Sequence, residues 1–109
     1  MKLPNGDKAE IPREKLINYC LNPEHSSGKH KARVFKSRLG ITQDNAELLL
    51  QMIRVAAVEG EVVQQATTNF GEQFKVDWKI PNQEKMILRT IWEIGYNKSN
   101  PRLISAFIR

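Results

Sequence analysis

Hydrophobic periodicity changes once along this chain, from about 3.6 residues to about 2, and the change falls near Glu61. Before it, apolar residues recur at helical spacing. Pro12 suits a first helical position, where its missing N–H costs nothing. Leu16, Ile17, Tyr19, Cys20 and Leu21 follow, and Asn22-Pro23 stops the run. The spacing predicts a second helix from Lys29 to Leu39, closed by Gly40 as a left-handed cap. Thr42 reads as the N-cap of a third helix, with Asp44 and Glu47 in its first turn and Gly60 at its end. Its stripe is Leu48, Leu49, Met52, Ile53 and Ala56, widened by Leu50, Val55 and Ala57 as for a helix packed on a sheet.

Beyond Glu61, Phe74, Val76, Trp78 and Ile80 alternate with Lys75, Asp77 and Lys79, a half-buried strand ended by Pro81-Asn82-Gln83. From Met86 to Ile94 both faces are partly apolar, which suits a central strand. A last strand runs from Arg102 to Ile108, with Leu103, Ser105 and Phe107 opposite Arg102, Ile104, Ala106 and Ile108. Val62 to Thr68 supplies a further strand, and the Pro4-Asn5-Gly6-Asp7 turn makes a small hairpin or folded-back arm at the start. Helices first and strands after, with short links, predict an α+β fold: about three N-terminal helices packed on a C-terminal antiparallel meander of three to four strands. The 109 residues (1–109) suffice for a single domain with its own core. The one cysteine, Cys20, has no partner for an intramolecular disulfide. No secretory leader is visible and no apolar run approaches the ~18 residues of a membrane span, so the expected setting is cytoplasmic, with no membrane partner.

Charge is distributed unevenly. Lys and Arg total 17 against 12 acids, a formal net charge of +5. Between Glu24 and Asp44 there is no acid at all, while Lys29, Lys31, Arg33, Lys36 and Arg38 fall in that interval. RNA or another polyanion is the natural partner of such a local field. At about 100° per residue, Ala32, Phe35 and Leu39 share the inward side of this helix. His30, Arg33 and Ser37 point outward, with Lys29 and Lys31 on the shoulders.

Cys20, His25 and His30 do not have the spacing of a zinc site, and the glycine-rich and nucleophile-elbow motifs of nucleotide-binding folds and hydrolases are missing. No metal or cofactor is expected. Cleavage of RNA without a metal needs less: one group to move a proton at the 2′-OH or the leaving 5′-oxygen, and fixed donors around the phosphate. His30 is the residue type for the first role. Lys29, Arg33, Arg89 and Ser105 would complete the catalytic set. His25, Lys31, Thr90, Tyr96, Arg102 and Phe107 would bind substrate. Plainer readings stand beside these. A basic helix face is often solvated surface, His25 would simply hydrogen-bond its loop, and Arg89 would pair with Asp77 or Glu93 across strands. Trp78 and Trp92 alternate with the apolar set and read as core.

The segments KLPNGDKAEIP, LNPEHSSGKHKARVFKSRLGIT and WEIGYNKSNPRLISAF together resemble a family of small uncharacterised bacterial domains, over most of the chain. The order of a His/Lys/Arg-bearing helix and then a sheet ending in Ser, a small residue and an aromatic also looks like the barnase, EndoU, colicin and RelE-like superfamily of ribonuclease toxins. That second resemblance implies metal-independent RNA cleavage, with His30, Lys29 and Arg33 facing Arg89, Thr90, Ser105 and Phe107, and a small neutralising or operon partner protein. Such toxins would be expected to end in Thr/Ser, Ala, Tyr, Pro; here Phe107 stands where the phenol would be. The alternative is a non-catalytic nucleic-acid- or protein-binding module of a toxin–antitoxin-like operon.

Overall fold

A computed structural model describes residues 1–83 and 85–109. The chain forms α1 (Arg13–Lys15), which continues as a π-helical turn Leu16–Cys20, then α2 (Lys29–Leu39) and α3 (Ala46–Glu59). Strands β1 (Glu61–Thr68), β2 (Gly71–Lys79), β3 (Ile87–Gly95) and β4 (Arg102–Ile108) follow, hydrogen-bonded antiparallel in the order β1-β2-β3-β4. This is the α+β architecture expected from the change of period. The bounds of α2, its left-handed Gly40 cap (φ 66°) and the span of β4 agree with the sequence reading.

The core lies between the helices and one face of the sheet. Phe74 and Val76 of β2 and Leu88, Thr90 and Trp92 of β3 point into it, against Leu49, Ile53 and Ala56 of α3 and Phe35 of α2. Fully burying a side chain such as Phe35 stabilises by about 1.5–3 kcal/mol, one of the contributions that hold α2 to the sheet. Thr42 accepts a hydrogen bond from the Asp44 N–H and Asn45 bonds back to the Thr42 N–H, a reciprocal cap that starts a short 3₁₀ turn before α3. Trp78, read as core, is only half-buried.

The first residues form a folded-back arm. The Val62 N–H donates to the Met1 carbonyl, a 3₁₀ turn at Gly6–Lys8 packs on α3, and Glu10 pairs in parallel with Arg102 on the outer edge of β4. Gly6 lies so close to the Ala57 carbonyl that a Cβ there would overlap it.

One expectation about β4 is corrected. Regular alternation would put Leu103, Ser105 and Phe107 on one face. Instead the register slips between β3 and β4: Trp92 faces Leu103, but Ile91 faces Ser105 and Thr90 faces Ala106. The extra residue, Ile104, is a β-bulge. Leu103, Ala106 and Ile108 therefore all enter the core, and Ser105 and Phe107 turn to the other face with Ile91 and Arg89.

Candidate active site at the edge of the sheet

The π-turn decides where Tyr19 goes. The Leu21 N–H donates to the Leu16 carbonyl at 2.8 Å, five residues back, so this turn holds one residue more than an α-turn. Leu16, Cys20 and Leu21 enter the core while Ile17 is left exposed and Tyr19 sits half-buried at its rim. The Cys20 thiol packs against β4. Burial pushes its pKa up, partly offset by the Ala106 N–H. Gly28, just before α2, lies under the Tyr19 carbonyl, and a Cβ would collide with it.

Helix α2 presents Lys31 to the same place. Its Nζ donates to the Tyr19 hydroxyl at 2.6 Å and to Ser105 Oγ at 3.2 Å. It also lies 4.9 Å from the centre of the Tyr19 ring and 5.1 Å from that of Phe107, within the range of a cation–π contact. The His25 ring meets Tyr19 edge-on, with centroids 4.9 Å apart. His25 Nδ1 accepts the Ser27 and Gly28 N–H groups, each at 3.0 Å, so the neutral ring carries its proton on Nε2. Lys15, Tyr19, His25, Ser27, Ile104 and Ser105 bound a shallow, open pocket here.

Partial burial opposes ionisation of Tyr19, but the bonds from Lys31 and Ser105 and the charge of the ammonium outweigh it. The phenol therefore ionises below its ordinary range. The arrangement joins a hydroxyl of lowered pKa and a second hydroxyl at the opening to a fixed cation beside it, a combination suited to acid–base chemistry on an anion.

The residues singled out from the sequence separate into groups. His25 and Ser105 line this pocket, and Lys31 stands beside it, bonded to Ser105 and the Tyr19 hydroxyl with the Phe107 ring against its ammonium. His30 is exposed and makes no hydrogen bond or ion pair among the described residues. Lys29 and Arg33 line a separate groove along the opposite shoulder of α2. Arg89 grips Asp77 across β2 and β3 with two bonds of 2.7 and 2.8 Å, and Arg109 adds a third at 3.1 Å. Thr90 is fully buried: it accepts from Trp92 Nε1 at 2.7 Å and donates to the Val76 carbonyl at 3.3 Å. Arg102 lies 3.6 Å from Glu10, and the Tyr96 hydroxyl donates to the Thr68 carbonyl, tying down the β1–β2 turn.

Tyr19 and Lys15 were not singled out, because Tyr19 was read as one of an apolar stripe. The signal available was the phenol itself: a half-buried tyrosine hydroxyl needs a polar partner, and Lys15 four residues earlier shares its side of the helix. Among the described residues no group of three His, Cys, Asp or Glu side chains is placed to hold a metal ion, and no helix is long and apolar enough to cross a membrane.

No curated protein matches the chain significantly. Among solved structures, the fold is similar to a chain of a contact-dependent growth inhibition toxin–immunity protein complex from Klebsiella pneumoniae 342. The TM-score is 0.64 at 15% identity, over 91% of this chain and 98% of that one. Over residues 2–109 the sequence matches, and the chain belongs to, the family described as "Domain of unknown function (DUF6883)".

Proposed function

We propose that the protein is a toxin-type, metal-independent ribonuclease whose centre is the Tyr19, Lys31, Ser105 and His25 cluster. The observation that carries this reading is the Lys31 ammonium held between the Tyr19 and Ser105 hydroxyls beside an open pocket. Two of its three N–H groups are used in those bonds, and the third is left for a phosphate oxygen.

In the reaction, ionised Tyr19 takes the proton of the 2′-OH as that oxygen attacks the adjacent phosphorus. The bond to the 5′-oxygen breaks, a water in the open pocket protonates the leaving oxygen, and the hydroxide so formed takes the proton back from Tyr19. His25, its Nδ1 occupied by the Ser27 and Gly28 N–H groups, holds a phosphate oxygen through Nε2–H. The products are a 2′,3′-cyclic phosphate and a 5′-hydroxyl. Lys31, Ser105 and Lys15 stabilise the charge that builds on the non-bridging oxygens. Tyr19 supplies the phenol that Phe107 lacks, while the Phe107 ring flanks the ammonium from the sheet side. His30, on the outward face of α2, serves RNA binding rather than proton transfer.

The fold likeness to a chain from a toxin–immunity protein complex supports a toxin-system setting and a neutralising partner protein. A non-catalytic binding module is favoured by a different observation: Lys29, Arg33 and Lys36 make no ion pair among the described residues. Product chemistry separates the two. A defined RNA incubated with the protein should give 2′,3′-cyclic ends, and a single 2′-deoxy substitution at the cut position should block cleavage there. Salt-dependent binding without product would replace the enzyme reading with the module.

A further inference from the structure

Helix α2 has two basic shoulders, and only one belongs to the pocket just described. On the other, Lys29, Arg33 and Lys36 recur at i, i+4 and i+7 and line one side of a groove of about 390 Å³. Its floor is apolar and well packed: Leu21 at 2% exposure, Ala32 at 5% and Ile41 at 2%. Asp44 also lines the groove, and its carboxylate makes no hydrogen bond or ion pair among the described residues.

We infer that this groove is a second subsite for single-stranded RNA, holding a nucleotide away from the scissile bond. The inference rests on the ribonuclease reading for its choice of ligand, although the groove binds whether or not the centre turns over. Three cations in a row match successive phosphates, and the volume is that of a small-molecule pocket. A base lies on the apolar floor. Asp44 gives the choice between RNA and an acidic peptide. A carboxylate in the groove repels phosphates and peptide carboxylates alike, but it accepts a hydrogen bond from the exocyclic amine of adenine or cytosine, which acidic side chains do not offer. The two shoulders lie about one helix diameter apart, roughly 10–12 Å, so a strand that crosses α2 reaches both.

The test uses 2′-O-methyl RNA hexamers, which cannot be cleaved, with fluorescence anisotropy read across a salt series. K29Q/R33Q/K36Q should weaken binding about tenfold or more and reduce the magnitude of the salt slope by about 2, from roughly 0.7 per phosphate contact on a single strand. K8Q/K79Q/K98Q removes the same charge from other exposed positions and should have much the smaller effect. Equal losses in the two triple variants would overturn the subsite, since only net charge would then matter. So would hexaglutamate binding as tightly as RNA and losing as much in K29Q/R33Q/K36Q. Cleavage of unmodified RNA by the wild-type protein is scored separately, so failure of the ribonuclease reading is distinguishable from failure of the groove.

Discussion

The Lys31 ammonium donates to the Tyr19 hydroxyl at 2.6 Å, a bond that joins α2 to the π-turn after α1 along the rim of β4. Neither helix alone would make a site. The bulge at Ile104 delivers Ser105 to the same ammonium, so the centre depends on two local departures from regular geometry, one in a helix and one in a strand.

The lowered pKa of Tyr19 is directly measurable. Ultraviolet difference titration should contain a tyrosinate step below the ordinary value of about 10, and that step should disappear in Tyr19→Phe. Lys31→Met removes both the bond and the charge that favour the anion and leaves the burial that opposes it. The step should therefore move up in pH; an unchanged step in Lys31→Met would break the proposed coupling.

A second expectation concerns position 28. In Gly28→Ala the new methyl group meets the Tyr19 carbonyl, so the π-turn has to shift away from α2. Thermal stability should fall by about 1–3 kcal/mol, in the range for overpacking. The Tyr19 titration step should move up, because the bond from Lys31 lengthens. Wild-type titration in this variant would mean that the turn adjusts without moving the phenol.

Thr90 has a structural duty. Thr90→Val keeps the shape but leaves the buried Trp92 N–H without its acceptor, at a cost of about 1–3 kcal/mol in urea unfolding. The ribonuclease rate of the folded fraction should be nearly unchanged. A large loss of rate with normal stability would return Thr90 to the substrate.

Asp77 links stability to acid. Its carboxyl is held below the usual range first by the hydrogen bond from Arg89, against some desolvation, with Arg89 and Arg109 charges adding to the effect. The sign follows: this stabilisation is fully present above the ordinary carboxylate pKa of about 4 and is lost as pH falls through the lowered value. Asp77→Ala should cost about 1–2 kcal/mol at pH 7. That is less than for a fully buried pair, because Arg109 is half exposed to water. The gap from wild type should narrow in urea melts as pH falls below the ordinary carboxylate range, and a gap that stays constant with pH would contradict this account.

Much of the fold was legible because its signals are local. The cap at Gly40, the Ala32 and Phe35 face of α2 and the alternation of β2 and β3 each follow from neighbouring residues. β1 was legible only as an added strand: its edge position leaves nearly every side chain exposed, so Glu61–Thr68 carries little apolar alternation. The site was less legible. Lys31 and Ser105 were both noticed, but in different roles, and the outward face with His30 drew attention instead. A π-turn and a β-bulge each shift the pattern by one residue, and no periodicity announces such a shift. Tyr19 was hidden for that reason, and Phe107 looked like a lost phenol until the fold set Tyr19 on the other side of the same ammonium.

The most direct measurement is the single-turnover cleavage rate of a short RNA by wild type and by Lys31→Met, with unfolding curves to certify that both are folded. Wild type should cleave, and Lys31→Met should be slower by about 10²- to 10⁴-fold with its stability retained. A folded Lys31→Met protein that cleaves at the wild-type rate, or a wild-type protein that cleaves nothing, would contradict the assignment of the centre.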